Sequence, residues 1–119
     1  MEPHWIDERI ASLPGTSTEH KPAWGSMLYR VGDKMIGMRG TYKDGRPILT
    51  IKLPPAQGEL LRETYDAIIP GYYSNKVHYN SVFLDAGFDD AFIGELIEDA
   101  YDCVFATLTG KAQKAITDV

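Results

Sequence analysis

Residues Tyr72-Tyr73-Ser74-Asn75-Lys76-Val77-His78-Tyr79-Asn80 bring an ammonium, an imidazole, two carboxamides, a hydroxyl and three phenols into nine positions. Polar, aromatic-rich loops of this kind serve as binding sites on rigid scaffolds. They also occur as tight turns in which Asn side chains fold back onto the backbone. Both readings stand for this segment. A small-ligand site here would use Arg62, Tyr72, Asn75, Lys76, His78 and Asn80.

Other residues capable of chemistry point to structure rather than to a reaction. Cys103 is the single cysteine, so no internal disulfide is available. On a helical wheel it falls within an apolar half, where a thiol is a small buried hydrophobe. His4, His20 and His78 lack i, i+3 or i, i+4 spacing to another ligand, and no metal site is expected. Glu95, Glu98, Asp99 and Asp102 form one stripe of a helix, the ordinary solvated face of an amphipathic element. Gly32-Asp33-Lys34 is too short for a phosphate loop and leads into a strand. No Gly-x-Ser-x-Gly elbow is present. These absences point away from an enzyme, and no cofactor is expected.

The elements that must position these residues follow from periodicity. Ile6, Ile10 and Leu13 recur at i, i+4 and i+7 after Pro3, which predicts a short amphipathic helix ended by Pro14-Gly15. Residues 16–25 are polar with Pro22 and Gly25, and read as a loop. Met27–Val31 and Lys34–Gly40 flank the two-residue turn Gly32-Asp33, and Asp44-Gly45 closes a second hairpin. Beyond it Leu49, Ile51 and Leu53 alternate with Ile48, Thr50 and Lys52, giving one apolar and one largely polar face. Pro54-Pro55 opens a second helix carrying Leu61 and Tyr65. Two further strands are expected at residues 68–72 and 78–84. A last helix spans 92–108, with Asp89 as its cap and Gly110 as a left-handed stop. The order α-β-β-β-α-β-β-α, with hairpin-linked strands, is an α+β layout built on an antiparallel sheet.

The chain has 119 residues, 44% hydrophobic and 24% charged, which suits one globular domain over residues 1–109 followed by a flexible tail at 110–119. The lone thiol, with no leader or bilayer-length apolar segment, points to the cytoplasm and away from a membrane. A net charge of −5 excludes indiscriminate coating of polyanions. That figure hides a strong asymmetry. Residues 21–52 hold seven basic and two acidic side chains, for +5, while the remainder carries −10. Phosphate contacts respond to local potential within about 10 Å, so a one-sided nucleic-acid contact is compatible with an acidic chain. The same cations also serve to keep strands soluble and edges unpaired.

The segments Val31-Gly32-Asp33-Lys34-Met35, Asp44-Gly45-Arg46-Pro47, Leu61-Arg62-Glu63-Thr64-Tyr65, Ile69-Pro70-Gly71-Tyr72, Asn75-Lys76-Val77-His78-Tyr79-Asn80-Ser81-Val82 and Leu84-Asp85 resemble the MmcQ/YjbR family of small bacterial proteins. The resemblance runs from about Trp24 to Leu108 and is most specific over Pro70–Asn80. It implies an α+β fold like that of secretion chaperones, in a double-wing arrangement similar to a DNA-binding module; the DNA label is itself a structural analogy. Tyr79 stands where the family usually has tryptophan, Val77 where it has a basic residue, and Tyr73 where histidine is common. The leading expectation is therefore a non-enzymatic protein that binds DNA weakly and salt-sensitively. Arg30, Lys34, Arg39, Lys43, Arg46, Lys52 and Lys76 would meet phosphates. The alternatives are a protein-interaction or adaptor module, and the small-ligand site above.

Overall fold

Gly45, at φ 89°, occupies the left-handed region that a side chain resists, and so the 42–46 segment turns tightly. The Tyr42 amide donates to the Arg46 carbonyl at 2.8 Å, and the Arg46 amide donates to Asp44 Oδ1 at 3.0 Å. This hairpin and its neighbour at Gly32-Asp33 form the middle of the sheet. The protein is described here by a computed structural model covering residues 4–71 and 76–117. Within those residues the order is α1 (His4–Ala11), β1 (Thr16–Lys21), a 3₁₀ turn (Pro22–Trp24), β2 (Ser26–Val31), β3 (Lys34–Thr41), β4 (Pro47–Lys52), α2 (Pro55–Thr64), β5 (Ile68–Pro70), β6 (Tyr79–Phe83), α3 (Asp90–Phe105) and α4 (Gly110–Thr117). All strands join one antiparallel sheet in the order β1-β2-β3-β4-β6-β5. The fold is α+β, as its hairpin-linked strands imply.

Two segments differ from expectation. The predicted loop at 16–25 contains β1, paired to β2 from Thr16↔Val31 through Lys21↔Ser26. Its sequence, Thr-Ser-Thr-Glu-His-Lys, has no apolar alternation because it is an edge strand held by main-chain pairing, and its polar side chains shield that edge. The predicted tail contains α4. Thr109 caps it by accepting from the Ala112 amide at 3.1 Å, and Ile116 packs against Gly15 so closely that a Cβ there would lie 2.7 Å from it. Val119 and its neighbour Asp118 lie outside the described residues. The last long helix consequently ends at Phe105, and Gly110 opens α4 instead of stopping α3. Asp89 sits at the N-cap of α3 without a side-chain capping hydrogen bond.

The helices lie on one side of the sheet. Ile6 and Ile10 of α1 and Ile93, Leu96, Ile97, Ala100 and Val104 of α3 pack on Tyr29, Val31, Leu49, Ile51 and Val82. Tyr65, after α2, meets Phe88 and Phe92 at ring separations of 5.4 and 5.3 Å, so α2 docks beside α3. The second face of the sheet is buried too. Ile48 and Ser81 are fully covered and Thr50 is 1% exposed, although β4 read as largely polar on this side. The polar groups survive burial by pairing: Thr50 and Ser81 stand opposite each other and their hydroxyls are 2.6 Å apart.

Candidate anion-binding site

The sheet register sorts the basic side chains into three groups. The first is committed to the helix-covered side. Arg39, on β3, donates from Nη2 to Asp7 Oδ2 of α1 at 2.9 Å and from Nε to the Tyr29 hydroxyl at 3.2 Å, while Tyr29 donates to Asp7 Oδ1. Its side chain is only 15% exposed. Burial, followed by the neighbouring Asp7 carboxylate, raises the Tyr29 phenol far above its usual range. This network fastens α1 to β2 and β3.

The second group lies at the β3–β4 turn. Arg46 makes a fork to Asp85, with Nη2 at 2.8 Å and Nε at 3.0 Å from Oδ1, and its guanidinium sits 3.9 Å from the centre of the Phe83 ring. The hydrogen bond from Arg46 holds the Asp85 carboxyl below its ordinary range. Lys43 rests near the Tyr42 ring at 5.6 Å.

The third group is at the opposite end of the strands. Arg30 pairs across from Met35 and Lys34 from Val31, while Lys52 pairs across from Tyr79. Lys76 and His78 precede β6 at this end, and the Leu53 amide donates to the His78 carbonyl at 2.9 Å. Arg30 and Lys52 flank β3, so their backbones are about 10 Å apart. Arg30 donates to Glu19 at 2.6 Å, with both side chains a third or more exposed. Lys76 donates to the Gly71 carbonyl at 3.0 Å. Arg30, Lys34, Lys52 and Lys76 therefore gather at one end, whereas Arg39, Lys43 and Arg46 do not join them.

Asn80 and Arg62, from the polar-loop candidates, do come together. Asn80 is fully buried on β6, where it pairs across from Ile51 and Pro70, and Arg62 of α2 donates to its Oδ1. Gly58 makes the contact possible. A Cβ at Gly58 would lie 2.7 Å from Asn80 Oδ1 and 3.1 Å from Arg62 Nη1. Tyr72 and Asn75 lie outside the described residues. Cys103 is partly exposed at the border of the apolar half of α3, and the acidic residues Glu95, Glu98, Asp99 and Asp102 are solvent-facing as their spacing implies. Among the described residues no group of three or more His, Cys, Asp and Glu is arranged to hold a metal, and no helix is long and apolar enough to cross a membrane.

Sequence reasoning missed a cleft of about 420 Å³ at the Arg46 end, walled by Trp5, Ile6, Pro47, Leu84 and Phe88 and rimmed by Asp90. These residues come from α1, β4, the β6–α3 connection and the start of α3, and only Pro47 and Leu84 lie within the quoted motifs, Asp44-Gly45-Arg46-Pro47 and Leu84-Asp85.

The YjbR family model matches residues 11–103. A similar sequence is the uncharacterised protein YjbR of Escherichia coli K12, 26% identical over 106 residues, with 89% of each chain covered. Another is the uncharacterised protein YbdF of Escherichia coli O157:H7, 28% identical over 89 residues, covering 75% of this chain and 72% of that one. A solved Deinococcus radiodurans protein with a DUF419 domain superposes with a TM-score of 0.83 at 25% identity, covering 94% of this chain and 85% of that one. A Pseudomonas syringae protein shares the fold at a TM-score of 0.72 and 22% identity, covering 87% of this chain and 98% of that one.

Proposed function

The chain belongs to the YjbR family, and from that premise we propose that it is a non-enzymatic binding protein that touches the DNA phosphate backbone with one end of its sheet. The observation that carries this reading is the register, which gathers Arg30, Lys34, Lys52 and Lys76 on β2, β3, β4 and the approach to β6. The exposed Arg30–Glu19 pair is no obstacle, because solvent-exposed ion pairs are worth about 0–1 kcal/mol and a phosphate can replace the carboxylate. Arg39 is not part of the proposed surface, since its side chain is 15% exposed and committed to Asp7, and Arg46 lies at the opposite end of the strands.

About four phosphate contacts give a slope of log affinity on log salt between about −3 and −4. Fluorescence anisotropy with a duplex of mixed sequence measures it. The expected result is weak binding at low salt that vanishes at moderate salt and is abolished in Arg30→Glu/Lys52→Glu. Lys43→Glu, at the other end, retains it. Absence of binding at low salt, or equal binding by the double charge reversal, overturns the reading.

A further inference from the structure

We propose that Arg62 is the receptor for one small oxyanion, the phosphate or carboxylate group of a ligand bound at the seam between α2 and β6. The chain has five arginines. Arg9, Arg30, Arg39 and Arg46 each have a carboxylate partner, in Glu98, Glu19, Asp7 and Asp85. Arg62 does not. It is half-buried, and its partner among the described residues is the carboxamide of Asn80, which can orient a guanidinium but cannot cancel its charge. Glu59, Glu63 and Asp66 are within four positions of Arg62 in sequence, yet no ion pair joins any of them to it.

The arrangement is built. Asn80 is fixed by β6 and wholly buried, Gly58 leaves the space through which Arg62 reaches it, and among the described residues one N–H of the fork is used. The remaining donors suit a bidentate oxyanion, the geometry for which guanidinium is better matched than ammonium. A second cation stands close by along the ladder. Pro70 pairs with Asn80 and the next residue, Gly71, accepts from Lys76 at 3.0 Å. This site shares Lys76 with the DNA reading but none of Arg30, Lys34 or Lys52, so the charge reversal at Arg30 and Lys52 tests the two separately.

Inorganic phosphate and, separately, acetate are titrated at constant ionic strength into the full ¹⁵N-labelled chain, following the Arg62 Nε–H and the Asn80 side-chain amide. Saturable shifts with a dissociation constant of about 1 mM are expected. Response to phosphate alone assigns a phosphorylated ligand, response to acetate alone a carboxylated one, and response to both the shared chemistry. Arg62→Gln keeps an amide donor for Asn80 and removes the charge, so binding falls at least tenfold. Gly58→Ala, which adds a good helix former but sets a Cβ 2.7 Å from Asn80 Oδ1 and 3.1 Å from Arg62 Nη1, disturbs the pair and weakens binding as well. Arg30→Glu/Lys52→Glu leaves it unchanged. No saturable shift with either anion, undiminished binding in both Arg62→Gln and Gly58→Ala, or loss of binding in the Arg30/Lys52 reversal overturns the proposal.

Discussion

Two arginines on the helix-covered side of the sheet are held in different ways. Arg39 lies beneath α1 in a closed set with Asp7 and Tyr29, in which a carboxylate balances the charge and a buried phenol completes the hydrogen bonds. Arg62 reaches from α2 onto a buried carboxamide, which supplies direction without charge. The first arrangement is finished within the fold and acts as a fastener. The second leaves a half-buried cation with no carboxylate against it among the described residues, a condition met at ligand sites more readily than in structural pairs. Solvent-accessible charge alone does not separate the two; the identity of the partner does.

The largest expected effect comes from opening the closed set. Asp7→Ala leaves Arg39, 15% exposed, without its counter-ion, and breaking such a pair from one side costs about 3 kcal/mol. Urea denaturation at neutral pH reads it as a lowered midpoint with an unchanged slope. If Asp7→Ala cost no more than an ordinary surface change, the contrast between the two arginines would collapse. The corresponding cut at the open site is smaller: Asn80→Ala strands a half-buried guanidinium that can still turn to water, with an expected loss of about 2 kcal/mol. Added phosphate should stabilise wild type through the Arg62 site and stabilise Asn80→Ala less, because that variant lacks the carboxamide that orients the guanidinium.

The particular elements show why some of this was readable from sequence. Gly32-Asp33 and Asp44-Gly45 demand left-handed backbone and therefore announce their hairpins locally. The apolar repeat of α3 is long enough to fix both its core side and its acidic stripe. β1 carries no such signal, since an edge strand is stabilised by its neighbour's main chain and not by burial of its own side chains. α4 rests on Thr109 and on the contact of Ile116 with Gly15, residues about a hundred positions apart in the chain. Arg62 and Asn80 were singled out as residue types. Their meeting depends on Gly58, whose missing side chain matters only after α2 is laid against β6. The commitment of Arg39 and Arg46 to Asp7 and Asp85 was likewise invisible, because each partner comes from another element.

The closed set should also have an alkaline signature. The Tyr29 phenol, normally titrating near 10.0, is raised in the fold by burial and by Asp7. Its native form thus holds the proton more tightly than the unfolded chain. The stability this confers is complete below pH 10.0 and is lost as pH climbs toward the native titration, by up to about 1.4 kcal/mol per pH unit. Tyr29→Phe should be about 1 kcal/mol less stable at pH 7 through loss of its hydrogen bonds, and its stability should be flatter than wild type above pH 10.

Arg46 and Asp85 give the weakest test, and the one that separates charge pairing from burial. Here the pairing is as complete in geometry as at Arg39, with a two-pronged fork, but both side chains are 40% or more exposed. If a carboxylate partner were sufficient to make a fastener, Asp85→Asn would rival Asp7→Ala. Solvent screening argues otherwise, and a loss no larger than that of an ordinary surface substitution is expected at neutral pH. The Asp85 carboxyl is depressed below 3.8 by Arg46, so its small contribution is present above that value and fades as pH falls through the native titration. Denaturation midpoints of wild type and Asp85→Asn should therefore converge as pH falls below 3.8. A neutral-pH loss approaching that of Asp7→Ala would mean that the partner's charge, and not its enclosure, decides which arginines the fold can spare for a ligand.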